Sequence, residues 1–301
     1  MFWPKKRMRR ACVWIACWTV RDLLIYAAAF VFCFCCIYGM FSVREPEDQP
    51  AYYREDNIEL DTVQKVSAGT SQHPRLALVI DDFGSSRDGV EEMLSLDIPF
   101  TAAVMPFLEY SAADARRAYE AGKEVIVHLP MQAHEKDNPA WLGPNPIRIT
   151  SDTETVQGIV ADAMKEIPYA VGANVHMGTE CSENPEIVEA VMETLKQGGY
   201  FFVDSVTTPH SVCEAVASDL QMHFAQRNVF LEAGNEGKEF AADQLRRAGE
   251  LALEHSYALA IGHVGPEGGS STAEAIREVK DELLAQGIEF VYVSQILSIP
   301  E

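Results

Sequence analysis

The sequence predicts an α/β protein with a barrel-like parallel sheet, set behind an N-terminal membrane-spanning helix. From Arg75 onward, short apolar runs alternate with helical patterns, the signature of βαβ units and a mostly parallel sheet. Four of those runs end in an acid–base or metal-type side chain. Leu76–Ile80 runs into Asp81-Asp82, Glu124–Val127 into His128, Val171–Val175 into His176, and Ala258–Gly262 into His263. In parallel sheets and barrels the carboxyl ends of the strands converge on one face, where sites are built. The third observation is Leu23–Phe41, an uncharged apolar run of 19 residues.

Residues 1–22 are basic, with Lys5, Lys6, Arg7, Arg9, Arg10 and Arg21 against Asp22 alone. Residues 23–41 read as a transmembrane anchor. As a helix they span about 28 Å, close to the roughly 30 Å of a bilayer's hydrocarbon. The basic flank places the N-terminus in the cytoplasm and everything after the anchor outside. A cleaved signal peptide is the competing reading, but the run is long for one and no small-x-small site follows it. Residues 42–74 are polar and without period, so they read as a linker.

Residues 75–301 form the predicted domain. Strands are expected at 76–81, 100–105, 124–128, 171–175, 200–204, 223–230, 257–262 and 289–293. Helices are expected at 87–96, 111–121, 152–166, 185–197, 209–219, 238–256 and 273–287. Gly122, Gly198 and Gly287 stand where helices end, and Asn184-Pro185 where one begins. The stretch 129–150, with four prolines, is a long loop directly after a site strand, a position often given to function.

Charge is divided unevenly. The first 44 residues carry a net +6, leaving −27 on the rest of a chain whose total is −21. A domain this acidic repels phosphate backbones, which argues against a nucleic-acid partner. Five of the seven cysteines lie in the apolar N-terminus, and only Cys181 and Cys213 lie in the domain, where a disulfide between them is open outside the cytoplasm. The sequence has no G-x-S-x-G elbow, no Walker A motif and no G-x-G-x-x-G after the first strand.

The chemistry of the strand ends is that of a metal-dependent hydrolase. Neutral imidazole is the commonest protein ligand for zinc, and two histidines with one carboxylate leave positions open for water and substrate. One carboxylate of the Asp81-Asp82 pair, with His128 and His176, is the expected ligand set of a divalent metal, with zinc foremost. The other carboxylate of the pair is left free as a base, and His263, before the Gly-rich loop Gly265–Gly269, reads as a general acid or as a turn residue. Asp204 ends its strand either in support of a ligand histidine or in an ordinary turn. Arg227 and Glu232 bracket an apolar stretch and are candidates for the pocket lining.

These residues resemble the divergent polysaccharide deacetylase family, relatives of the NodB-type carbohydrate esterases. The resemblance runs from about Leu76 to the end of the chain. It is carried by Val79-Ile80-Asp81-Asp82-Phe83-Gly84, His128-Leu129-Pro130-Met131, Asn174-Val175-His176-Met177-Gly178, Phe202-Val203-Asp204-Ser205, Arg227-Asn228-Val229-Phe230-Leu231 and Ala260-Ile261-Gly262-His263. It implies a distorted (β/α)7-type, NodB-like barrel with a divalent metal at the strand ends. It gives Asp81 the part of catalytic base, Asp82 and His128 those of metal ligands, and His263 that of general acid. His176 looks like this branch's replacement for the second histidine of an H-x-x-x-H motif, because position 132 is Gln132. Asn174, Asp204 and Arg227 are assigned to the support of the ligands or to contact with substrate. Val175 stands where the branch has a second Asn, Val264 where it has Pro, and Asn228 and Glu232 where it has Asp.

The expected function is removal of acetyl groups from an envelope polysaccharide or related glycan. The expected location is the bacterial inner membrane, single-pass, with the domain on the periplasmic side. The alternative is an inactive glycan-binding or scaffolding domain on the same fold.

Overall fold

A computed structural model describes residues 73–134, 139–167, 169–232 and 237–300. The expected anchor at 23–41 and nearly all of the linker lie outside these residues. Among the described residues no helix is long and apolar enough to cross a membrane.

Strands and helices alternate as βα units: β1 (Arg75–Phe83), α1 (Val90–Leu94), β2 (Thr101–Val104), α2 (Ser111–Glu120), β3 (Glu124–Met131), α3 (Thr153–Glu166), β4 (Gly172–Met177), α4 (Pro185–Gln197), β5 (Phe201–Asp204) and α5 (Cys213–Asp219). There follow β6 (Phe224–Gln226), β7 (Val229–Phe230), α6 (Gly237–His255), β8 (Tyr257–His263), α7 (Gly269–Ala285) and β9 (Glu289–Val291). Local chemistry explains several boundaries. Asp152 caps α3 by accepting from the Thr155 amide, and Asn184 caps α4 by accepting from the Ile187 amide with Pro185 at the first helical position. Helix α4 is capped by Gly198, as expected, and the left-handed residue follows it at Gly199, with φ 74°. Helix α7 starts four residues earlier than expected, inside the Gly-rich loop.

All strand pairings within the sheet are parallel, in the order β6-β5-β4-β3-β2-β1-β8-β7, with β9 beside the start of β1. The single strand expected at 223–230 is two. β6 pairs with β5 and β7 with β8, so consecutive strands sit at opposite ends of the order. Only Arg227 and Asn228 join them. Three residue steps span at most about 11 Å, so the two ends of the sheet lie that close together. The sheet is therefore curled into a barrel with a seam. The Arg227 amide donates to the Asp204 carbonyl on one side of it, and the Asn228 amide to the Leu259 carbonyl on the other.

Two apolar cores follow from the alternation of the strands. One, with Leu76, Leu78, Ile80, Val125 and Val127, faces the helices. The other, with Ala77, Val79, Ile126, Val203, Leu259 and Ile261, fills the barrel. Asp81 follows Val79 on the inner face, His128 follows Ile126 and His263 follows Ile261, so the polar site sits directly on this apolar floor.

The Gly-rich loop docks on the start of α1. Gly89 has φ 76°, and a Cβ on it would lie 2.2 Å from the carbonyl carbon of Gly269. Backbone meets backbone there, so neither side can yield. Gly89→Ala is expected to cost at least about 1–3 kcal/mol from the left-handed strain alone, read as a lowered denaturant midpoint with an unchanged slope. An unchanged midpoint would show that the two loops do not pack this closely.

Candidate metal centre

Register sets most of the site. Asp81 pairs with His263 across β1 and β8, and His128 with Asn174 across β3 and β4. His176 lies two residues beyond Asn174 and so shares its face. Asp82 would point outward by the same alternation. The register between β1 and β2 shifts between Ile80 and Phe83, and Asp82 takes the left-handed φ of 68°. This bulge turns the second carboxylate in beside the first. The turn is held by its surroundings. Phe83 is fully buried, Gly84 at φ 93° donates to Asp114 Oδ2 at 3.0 Å, and Ser85 Oγ donates to the Asp82 carbonyl at 2.7 Å.

Asp82, His128 and His176 meet in one cluster. Asp82 Oδ1 lies 3.4 Å from His128 Nε2 and 3.3 Å from His176 Nδ1, and the two nitrogens are 3.1 Å apart. The other nitrogen of each ring is engaged. His128 Nδ1 donates to Asn174 Oδ1 at 2.7 Å, and His176 Nε2 donates to the Trp141 carbonyl at 2.9 Å. In the neutral rings these bonds leave both lone pairs facing Asp82. Asp82 Oδ1 is buried and has no hydrogen-bond partner. With both rings neutral, three electron-pair donors point at one another with no proton between them. That arrangement is repulsive alone and satisfied by a cation. Donors about 2.1 Å from a tetrahedral centre stand roughly 3.4 Å apart, so the observed triangle fits a small divalent ion.

Burial pushes the Asp82 carboxyl up, but hydrogen bonds and positive charge from the two imidazoles, once protonated, outweigh it and hold the group well below the usual carboxylate range. Burial alone would lower His176; the Asp82 carboxylate and the Trp141 carbonyl raise it. Asp81 is raised by burial, against the pull of His128, His263 and Asn174. Asn174 is the hub. It takes the proton of His128 and donates Nδ2 to Asp81 Oδ1 at 2.8 Å, so the ligand and the free carboxylate are fixed by one amide.

His263 stands on the other side of Asp81. Its Nδ1 lies 3.0 Å from Glu232 Oε2, and its backbone amide donates to Glu232 Oε1 at 3.2 Å. Thr272 Oγ1 also donates to Glu232, and Glu267 Oε2 lies 3.6 Å from His263 Nε2. Burial disfavours the charged ring, but Glu267 and Glu232 raise it well above the ordinary histidine value.

Other expected residues are placed elsewhere. Asp204 does not support a ligand histidine. Its oxygens accept from the Val206 amide at 2.8 Å and from Ser211 Oγ at 2.7 Å, which fixes the loop after β5. Arg227 reaches that same loop. It donates to the Ser205 and Val206 carbonyls at 2.7 and 2.8 Å and stacks 3.7 Å over Phe230, clamping Val206 at its left-handed φ of 48°. Gln132 lies outside the triangle, donating to Glu180 at 2.7 Å. Cys181 and Cys213 are free, buried thiols and form no disulfide. Burial pushes the Cys181 thiol up to about 12, which removes it as a nucleophile at neutral pH.

The fold and site define a class: curled parallel α/β barrels that gather acids and imidazoles at the carboxyl ends of their strands. Within that class, the chain belongs to the divergent polysaccharide deacetylase family, whose model it matches over residues 78–297. It is 30% identical over 227 residues to the uncharacterised protein YibQ of Escherichia coli K12, covering 75% of this chain and 68% of that one. An uncharacterised protein of Haemophilus influenzae Rd is 27% identical over 218 residues, 71% of this chain and 75% of that one. Among solved structures, the uncharacterised protein ATU2773 of Agrobacterium tumefaciens C58 shares the fold with a TM-score of 0.68 at 19% identity, over 77% of this chain and 92% of that one. A candidate polysaccharide deacetylase from Mycobacterium smegmatis shares it with a TM-score of 0.50 at 13% identity, over 77% and 93%.

Proposed function

We propose that this chain is a metal-dependent hydrolase that removes acetyl groups from an envelope polysaccharide or related glycan. Asp82, His128 and His176 hold a divalent ion, with zinc foremost. The observation that carries this reading is the triangle of Asp82, His128 and His176, two of them buried and the third nearly so, around the unsatisfied Asp82 Oδ1. When bound, the ion supplies Lewis acidity toward the acetyl carbonyl and lowers the pKa of nearby water.

The chain's own residues move the protons. Asp81 accepts one from water as its oxygen attacks the carbonyl carbon. His263, held by Glu232, gives one from Nε2 to the departing nitrogen or oxygen as the bond to the acetyl carbon breaks. Acetate and a free amine or hydroxyl result. Asn174 keeps Asp81 and His128 in register through both steps. The apolar floor beneath excludes bulk water from below. The basic N-terminus and the apolar run 23–41 support a location at the outer face of the bacterial inner membrane.

The test is elemental analysis of the purified full chain together with acetate release from N-acetylated glycan. One equivalent of zinc is expected, with acetate release lost to chelation and restored by the ion. A chain that retains glycan but binds no metal and releases no acetate overturns the enzymatic reading in favour of a binding domain.

A further inference from the structure

The loop that follows Asp82 is tied to a buried carboxylate on a neighbouring helix. Asp114 of α2 is fully buried. Its Oδ2 accepts from the Gly84 amide at 3.0 Å, and its Oδ1 accepts from Arg87 Nη1. A second guanidinium, that of Arg117, has Nη1 3.5 Å from the same Oδ1. Both arginines also pair with Glu91, and Arg87 lies 5.0 Å over the ring of Tyr110. One carboxylate thus holds two points of a short loop that begins directly after a metal-site side chain.

A charge at this position is costly. The other buried residues of α2 are Ser111, Ala115 and Ala118, so Asp114 stands on a packing face. An apolar side chain there would avoid taking a carboxylate out of water. What the carboxylate adds is direction: two acceptor oxygens at a fixed separation, both spent on the same loop. The rest of the loop is held as well. Gly84 lies so close to α2 that a Cβ on it would come within 3.0 Å of the Met105 carbonyl oxygen and 3.1 Å of the Ser111 Cα. The Phe83 carbonyl accepts from the Met105 amide at 2.9 Å, and at the far end the Asp88 carbonyl accepts from the Gly265 amide at 2.9 Å.

Asp82 is the side chain that needs this support. Strand alternation would turn it away from His128 and His176. Only its left-handed backbone, at φ 68°, brings Oδ1 to them. That oxygen has no hydrogen bond of its own, so its aim is set by the backbone and not by a side-chain partner. Ser85 closes the turn from within by donating to the Asp82 carbonyl, and Asp114 fastens the turn to the helix.

We propose that Asp114 is a positioning residue for the metal centre: by holding Gly84 and Arg87 together it fixes the bulge that aims Asp82 Oδ1 at His128 and His176, and so sets affinity for the ion before the ion arrives. This rests on the metal-binding reading and adds to it a residue outside the ligand set that tunes it.

Groups that fix the aim of a metal ligand are typically worth about 10–100-fold in affinity. Asp114→Leu is therefore expected to weaken zinc binding by the full chain about 10–100-fold, measured by competition with a chromophoric chelator, and to change the visible absorption of the cobalt-loaded chain. Asp114→Asn keeps an acceptor for the Gly84 amide and is expected to recover most of the zinc affinity. A purely structural role would lower the denaturant midpoint of Asp114→Leu while its folded form kept wild-type zinc affinity and an unchanged cobalt spectrum. That result overturns the inference and leaves the metal centre in place. Where Asp114→Leu does not fold, Arg87→Leu decides, because Arg87 is 39% exposed and its removal cuts one arm of the contact at the surface. It is expected to weaken zinc binding severalfold, and an unchanged affinity overturns the inference. A wild-type chain that takes up neither zinc nor cobalt overturns the metal-binding reading itself, and the positioning role with it.

Discussion

Asp82→Gly is expected to lose the divalent ion and all acetate release, and to gain stability in the presence of chelator. The loss follows from the triangle: with one of three donors gone, the two imidazoles alone hold an ion weakly. The gain follows from the backbone. Asp82 occupies a left-handed φ of 68° that costs a side chain of its kind about 1–3 kcal/mol. Its Oδ1 is buried without a hydrogen bond. Glycine lifts both terms and returns about 0.5–1 kcal/mol in backbone entropy, so a net gain of roughly 1 kcal/mol is expected in the metal-free chain at a pH above the raised His176 value, where that ring no longer pairs with the carboxylate. Calorimetry with and without chelator reads the result. If Asp82 were only a turn residue, its replacement would lower stability in both conditions and leave metal content unchanged.

The second large effect is at His263. His263→Gln is expected to lower kcat by about 10²–10⁴ without changing zinc content, because the ring lies outside the triangle. The pH profile carries the sign. Glu267 and Glu232 raise His263 well above its ordinary value, so the protonated form persists into alkaline solution. Activity that needs this proton is therefore kept below the raised value and lost as pH climbs through it. Glu232→Gln removes one of the two charges, so the alkaline limb of kcat/KM is expected to move to lower pH. The same shift links to folding. The stability it contributes is fully present below about pH 6.5 and declines as pH rises through the folded-state value. An alkaline limb that does not move in Glu232→Gln would remove His263 from the role of acid.

The sequence made much of the site legible because strand ends are legible. An apolar run that stops at Asp81, His128, His176 or His263 announces both the strand and the face on which its last residue lies. Asn174 is readable only once register is known, since its part depends on standing opposite His128. Three features had no such signature. Alternation sends Asp82 outward, and only the bulge brings it back. Glu232 follows a two-residue strand hidden inside what reads as one longer run, so its place beside His263 could not be fixed without knowing that the run divides. Trp141 reaches His176 through a carbonyl, a group every residue carries. Arg227 and Asp204 were ambiguous for the opposite reason, and for Asp204 the turn left open by the sequence is what the hydrogen bonds show. Their charges suggest a pocket, yet they satisfy the backbone of a strained loop next to it.

The gap between β6 and β7, bridged only by Arg227 and Asn228, gives the barrel the mechanics of a split ring. Such a ring flexes at its slit and stays stiff around the rest of its circumference. Asp82, His128, His176 and His263 all stand on the unbroken arc from β4 through β1 to β8. Strain that widens the slit therefore leaves Asp82, His128, His176 and His263 at their spacing. It moves instead the segment that carries Asp204 and Arg227, so the girth of the cleft can change while those four side chains keep their geometry.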